Sequence, residues 1–161
     1  MSKIAGALGA NYESKRADLR IRKFDLGGHT FKVRVPIVSE SDAIYKRITE
    51  PDQAKIDAVY ALMIEPIEKF KEQAQENGFE FLEDDVLING KSLRESAKTK
   101  VMTEARIVEY IKLLVPEVEG ATLDGITYED VQAEWPMSVQ LQLIEKIGEV
   151  ISPTYRESRG N

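Results

Sequence analysis

The sequence predicts an α+β fold in which an N-terminal β-hairpin packs against a mainly α-helical single domain. Residues 19–37 alternate apolar and polar side chains around Gly27-Gly28, a hairpin pattern because both central positions of a tight turn favour positive φ. Three later stretches, 56–67, 97–115 and 139–150, repeat apolar residues at spacings of three and four. That spacing is typical of amphipathic helices.

The chain of 161 residues is most simply one domain. Residues 1–17 are small and polar, so we expect this segment to be mobile or ordered only by a partner. Regular structure is expected to begin at Leu19. The predicted domain spans residues 18–153, and residues 154–161 form a polar tail.

The second hairpin strand is predicted to have one apolar face and one solvent-exposed face. Pro36 lacks an N–H donor, so it suggests the end or the edge of the strand. The apolar face consists of Phe31, Val33, Val35 and Ile37, whereas water reaches Thr30, Lys32 and Arg34.

Two helices are expected after the hairpin. Polar residues 39–42 offer N-cap oxygens to a short helix through Ile44, Tyr45 and Ile48. Pro51 and Asp52 then open the helix that contains residues 56–67. Pro66 is expected to kink or split this helix because it removes a hydrogen bond, and Asn77-Gly78 ends the helical region.

A short extended pair and a long helix are predicted in the middle of the chain. Residues 79–89 suggest a second small hairpin or an irregular pair of extended segments. Ser92 and Glu95 match a capping box. The helix that they open is expected to continue to Pro116.

The C-terminal third is predicted to contain a loop and two helices. A loop over 120–125 precedes a short helix that Thr127 caps and that Trp135-Pro136 ends, since the residue before a proline disfavours the helical region. Ser138 is predicted to cap the last helix, which ends near Ser152-Pro153.

Composition excludes several classes of protein. The apolar fraction is 42% and the charged fraction 31%, and no apolar run is long enough to cross a membrane. The N-terminal residues do not match a secretory signal, so a cytosolic protein is expected. Zero cysteines exclude disulfides and thiolate sites. The net charge of −6 argues against nucleic-acid binding.

The residues that could carry catalysis or bind ions are better explained as surface groups. His29, the only histidine, follows the hairpin turn and has no nearby partner marked by spacing. Residues 83–85 lack the ligand spacing of a calcium loop. The glycines of residues 6–9 follow no strand and precede no GK[ST]. Two pairs of carboxylates could act as a catalytic acid and base: Glu65 with Glu68 and Glu104 with Glu109. Amphipathic helices commonly carry such residues on their solvent-exposed faces. We therefore expect no enzyme activity, no cofactor and no metal.

Trp135-Pro136-Met137 allows two interpretations. The single tryptophan, beside a helix break, could be a core anchor that joins two helices. Tryptophan and methionine are also enriched where proteins bind partners. The sequence alone leaves both interpretations open.

Two stretches of the chain resemble a known family. One is the hairpin region from Asp25 to Pro36, DLGGHTFKVRVP, followed by a helical run. The other runs from Glu134 to Leu141, EWPMSVQL, with IEKI after it at 144–147. Both are similar to the tail assembly chaperones of long-tailed, siphophage-type bacteriophages.

The resemblance implies a non-enzymatic α+β protein that acts in the cytoplasm of the infected bacterium and is absent from the mature virion. Members are thought to bind the long helical tape measure protein, keep it soluble and promote tail tube assembly. They commonly occur in a short form and a frameshift-extended form. The family has no invariant chemical residue, so the resemblance transfers no site.

The mechanism expected from this resemblance is reversible covering of apolar stripes on the client. Many weak contacts and self-association would suit it, and contact with the tail tube protein is a further expectation. The faces suggested for partner binding lie on the helices at 56–67 and 139–150. The individual partner-binding residues suggested by the sequence are Trp135, Met137, Ile56, Tyr60 and Met63.

Two alternatives remain open. The chain could be a structural tail or head–tail connector subunit of the virion, whose hairpin at 19–37 joins a sheet in the particle. It could also be a small regulatory or DNA-binding protein built on helices near 127–150, although the acidic composition argues against this.

Overall fold

The computed structural model describes residues 2–152. It confirms the α+β class, with a hairpin near the N-terminus and mostly helical structure elsewhere. Its contacts form two compact units, one made of Met1–Asp42 with Ile107–Asn161 and the other of Ala43–Arg106. We call them unit 1 and unit 2. The predicted polar tail at 154–161 lies outside the described residues.

Unit 1 begins with short helices that the sequence analysis did not predict. Helices α1 (Lys3–Leu8) and α2 (Ala10–Lys15) precede a 3-10 helix at Arg16–Arg20. Regular structure therefore starts well before Leu19. The hydroxyl of Ser2 accepts a hydrogen bond from the backbone N–H of Ala5 at 3.0 Å and so caps α1. The small side chain of Ala5 is buried.

The predicted hairpin is confirmed. Strands β1 (Ile21–Leu26) and β2 (His29–Arg34) pair antiparallel, and the turn between them has φ values of 61° at Gly27 and 82° at Gly28. Phe24 and Phe31 face each other across the strands, and their rings stack with centroids 5.2 Å apart. Pro36 lies beyond the end of β2, as expected.

The second edge of β2 also has a partner. Val33 forms an antiparallel bridge with Leu114. The N–H of Arg34 donates to the carbonyl of Leu113 at 2.9 Å, and the N–H of Val115 donates to the carbonyl of Lys32 at 2.8 Å. Residues 113–115 therefore act as a third strand-like segment beside the hairpin.

This pairing corrects the predicted end of the long helix. Helix α6 (Leu93–Ile111) stops before Pro116. The N–H groups of Leu113 and Leu114 still close a last turn, but the carbonyl of Leu113 and the N–H of Val115 bond to β2 instead of continuing the helix. A helix-like apolar spacing cannot distinguish these buried extended residues from a further turn of helix.

Helices α7 (Tyr128–Glu134) and α8 (Met137–Ile151) complete unit 1. Thr127 and Asp130 form the capping box of α7. The predicted cap of α8 is wrong: its N-cap residue is Pro136, and Ser138 lies inside the helix. Helix α8 packs against both hairpin strands. The largest fully buried side chains of unit 1 are Val33, Ile107, Ile111, Leu113, Val131, Leu143 and Ile147.

Helix α3 (Val38–Thr49) runs across the boundary between the two units, and α4 (Gln53–Lys69) follows in unit 2. The carboxylate of Asp52 caps α4 by accepting from the N–H of Ala54 at 3.0 Å. The helix was expected to kink or split at Pro66; it continues past this proline, so it is not split there. A short α5 (Lys71–Glu76) then ends at Asn77-Gly78, as predicted.

Unit 2 also contains a small antiparallel sheet. Strands β3 (Phe79–Phe81), β4 (Val86–Ile88) and β5 (Lys91–Ser92) pair in sequence order. The sequence predicted only the first two as an extended pair. The buried core of unit 2 contains Ile56, Tyr60, Val86, Leu93, Ala97 and Val101. Helices α4 and α6 thus cover the sheet with one shared apolar cluster.

Gly148 offers a stability test inside α8. A Cβ atom added there would lie 3.6 Å from Cε2 of Tyr110, an ordinary van der Waals distance. Alanine loses less backbone entropy than glycine in a helix. We expect Gly148→Ala to raise the free energy of unfolding by about 0.5–1 kcal/mol in urea titrations. A lower value than wild type would show that the Tyr110 contact is too tight.

Candidate functional site

The junction between α7 and α8 is held by one buried polar side chain. Gln140 is 2% exposed. Its amide nitrogen donates to the carbonyl of Trp135 at 2.9 Å, and its amide oxygen accepts from the Tyr128 hydroxyl at 2.9 Å. Because Gln140 belongs to α8 and its side chain bonds to α7 and to the residue between the two helices, it fixes the corner at Trp135-Pro136.

Apolar side chains are exposed on the outer side of this corner. Met137 is 50% exposed and Leu141 is 46% exposed, and Trp135 beside them is half-buried. Residues four apart are neighbours on a helix surface, so Met137 and Leu141 form a continuous ridge. We call Trp135, Pro136, Met137 and Leu141 the corner surface.

The same side of α8 is covered further along the helix. Positions 137, 141, 144 and 148 follow one another at spacings of four, three and four. The Tyr110 ring lies against Gly148, and Ile144 is only partly exposed. The apolar stripe is therefore buried at its C-terminal end and open at the corner surface.

Acidic residues border the corner surface. Glu134 precedes Trp135, and Glu145 lies one helical turn beyond Leu141; both are exposed. The segment 113–145 contains seven carboxylates and no lysine or arginine. Because the whole chain has a net charge of −6, the remaining residues are close to neutral. This segregation of charge is a signal in the sequence that did not enter the predicted partner-binding residues.

The structure separates the five residues suggested for partner binding. Trp135 and Met137 lie in unit 1 at the corner surface, whereas Ile56, Tyr60 and Met63 lie on α4 in unit 2. Ile56 and Tyr60 are 6% and 9% exposed, and Met63 packs against the same core cluster. The apolar spacing of α4 reflects core packing: Ile56 and Tyr60 are buried, and Met63 is half-buried against the same core.

The groups considered for catalysis or ion binding occupy surface or structural positions. His29 is exposed, and its ring meets the ring of Phe31 edge-to-face at 4.7 Å. Glu65 forms an exposed ion pair with Lys69 at 3.6 Å. Within residues 2–152, no group of three His, Asp or Glu side chains is placed to hold a metal ion.

Asp85 has a structural role that the sequence did not reveal. Its carboxylate accepts hydrogen bonds from the backbone N–H of Val86 at 2.7 Å, the N–H of Arg94 at 3.0 Å and the Ser92 hydroxyl at 2.5 Å. Burial alone would raise the pKa of Asp85, but these three hydrogen bonds outweigh it and hold the pKa below its usual value. The carboxylate thus joins the β3–β4 loop to the start of α6.

Glu40 on α3 bridges two arginines of unit 1. Its Oε2 atom lies 2.7 Å from Nη1 of Arg34 and 3.2 Å from Nη2 of Arg20. The hydrogen bond from Arg34 is the main reason that the pKa of Glu40 lies below its usual range. All three side chains are about one-third exposed, so this cluster ties α3 to the hairpin with a modest energy.

Comparison with known protein families, characterised proteins and solved structures finds no match to this chain. Among residues 2–152, no helix is both long and apolar enough to span a membrane.

Proposed function

We propose that this chain is a tail assembly chaperone of a long-tailed bacteriophage. In this role it binds the tape measure protein in the cytoplasm of the infected cell, keeps it soluble and promotes tail tube assembly. It is not an enzyme and does not remain in the mature virion. The resemblance of DLGGHTFKVRVP and EWPMSVQL to that family is the basis of the proposal.

One structural observation supports this function above others. The corner surface leaves a methionine and a leucine about half exposed beside the only tryptophan. Contiguous exposed apolar patches that a polar rim surrounds are typical of sites that bind other proteins, and Met137 and Leu141 are neighbours on α8. A chaperone must release its client, and a small surface of this kind favours weak, reversible contacts.

The proposal is tested by co-expression with the tape measure protein of the same phage. We expect the tape measure protein to be insoluble when expressed alone and to co-purify with the chain as a soluble complex, with its mass measured by light scattering. An unrelated acidic protein of similar size serves as the control. If the tape measure protein stays insoluble in both cases, the proposed function is wrong.

A second candidate, a structural tail or connector subunit, has one feature in its favour. In the described part of the chain, β1 pairs only with β2, so its outer edge could accept another strand. The charged residues Arg22, Lys23 and Asp25 on this edge strand work against such pairing. Mass spectrometry of purified virions separates the two: a chaperone is absent and a structural subunit is present.

A further inference from the structure

The chemistry of the corner surface indicates what kind of partner fits it. Its centre is apolar, with Met137 and Leu141 each about half exposed. Its two ends carry the carboxylates of Glu134 and Glu145, in a segment without a single basic side chain between residues 113 and 145. A partner that covers the apolar centre therefore brings its own flanking groups close to the carboxylates of Glu134 and Glu145.

We propose that the corner surface binds a basic amphipathic helix: a segment whose apolar stripe covers Met137 and Leu141, and whose flanking lysines or arginines face Glu134 and Glu145. The inference rests on the proposed function and names both the site on this chain and the chemistry of the client segment. An acidic amphipathic helix with the same apolar stripe is expected to bind more weakly because of like-charge repulsion.

A helical partner fits this surface better than an extended one. Met137 and Leu141 are spaced as neighbours along α8, so they form a ridge of the kind that fits between the side chains of a second helix. An extended partner gains most of its affinity by adding backbone hydrogen bonds to a free strand edge. The corner surface is built from α8 and the turn before it and offers no such edge.

The rigidity of the site supports recognition rather than non-specific adhesion. Gln140 locks the backbone at Trp135 and the relation of α7 to α8 through two hydrogen bonds. The exposed methionine adds an adaptable side chain that can pack against different apolar residues. The backbone of the corner is therefore held in place, while the side chains of the corner surface can pack against several similar segments of a long client.

The test measures binding to a synthetic amphipathic helix of about 18 residues, five helical turns, with a leucine stripe flanked by lysines. A second peptide has the same leucines flanked by glutamates. Fluorescence anisotropy on the full chain compares wild type with Met137→Gln/Leu141→Gln, which removes the apolar centre, and with Glu134→Gln/Glu145→Gln, which removes the charges. Glutamine keeps a high helix propensity, and thermal unfolding checks that each variant is folded.

Matched controls come from α4 and α5 in unit 2. Leu62 is 72% exposed on α4, and Glu68 and Glu72 are exposed carboxylates. Leu62→Gln therefore makes one such leucine-to-glutamine change elsewhere, and Glu68→Gln/Glu72→Gln repeats the removal of two charges. We expect the apolar variant to bind the lysine peptide about ten-fold more weakly. The charge variant is expected to lose affinity at low salt and to match wild type at high salt. Both controls should bind as wild type does.

The outcomes separate this inference from the proposed function. Equal binding by wild type and the apolar variant, or equal binding of the lysine and glutamate peptides, overturns the inference. The same variants are then co-expressed with the tape measure protein. If wild type and the apolar variant both keep it soluble, the chaperone function stands and the corner surface is wrong. If wild type fails while the peptide results hold, the surface stands and the chaperone function is wrong.

Discussion

Replacing Leu143 by alanine is expected to lower the free energy of unfolding by about 2–5 kcal/mol. Leu143 is fully buried on α8, the helix that packs against the hairpin. Its removal loses the transfer energy of the deleted atoms and leaves a cavity that the neighbouring strands cannot fully close. Urea unfolding followed by the fluorescence of Trp135 measures the change, because the only tryptophan lies in the same unit.

Leu141 provides the matched control on the same helix. It is 46% exposed, so Leu141→Ala removes much less buried apolar surface and is expected to cost less than about 1 kcal/mol. The two leucines thus separate stability from partner binding: Leu143 is needed for the fold and Leu141 for the corner surface. Similar losses for the two variants would contradict this division of α8.

Local sequence signals predicted most of the fold because they act over a few residues. Gly27-Gly28, Asn77-Gly78 and the capping box at Thr127 set a turn, a helix end and a helix start through backbone conformation and hydrogen bonds nearby. The second partner of β2, residues 113–115, was missed. Its apolar residues suit either a helix or a buried strand, and only a contact far along the chain decides between the two.

For a related reason, only some of the residues suggested from the sequence belong to the candidate site. Trp135 and Met137 were recognised from residue type and from the helix break, and both reach the surface. Ile56 and Tyr60 were suggested from the apolar spacing that marks any amphipathic helix. Both are buried in a core cluster with side chains of β4 and α6, which lie further along the chain. Periodicity identifies the apolar face of a helix, but tertiary packing determines whether that face is covered.

The second large effect on stability is expected at Asp85, in the acidic loop before β4, because its carboxylate accepts hydrogen bonds from three donors. We expect Asp85→Ala to lower the free energy of unfolding at neutral pH by about 2–3 kcal/mol, because backbone N–H groups of Val86 and Arg94 lose a charged acceptor. Amide hydrogen exchange should accelerate at these two residues first. Asp84→Ala, which removes the neighbouring exposed carboxylate, is the control and should leave exchange there unchanged.

The pH dependence of this contribution follows from the direction of the pKa shift. The pKa of Asp85 in the folded chain lies below its ordinary value of 3.8, so the folded state favours the ionised carboxylate. Its contribution is complete above that ordinary value and disappears as the pH falls through the folded pKa. The difference in unfolding free energy between wild type and Asp85→Asn should be constant from neutral pH to about pH 5 and shrink in stronger acid. Urea titrations across this range measure it, and a difference that grows in acid would mean that burial, rather than hydrogen bonding, dominates at Asp85.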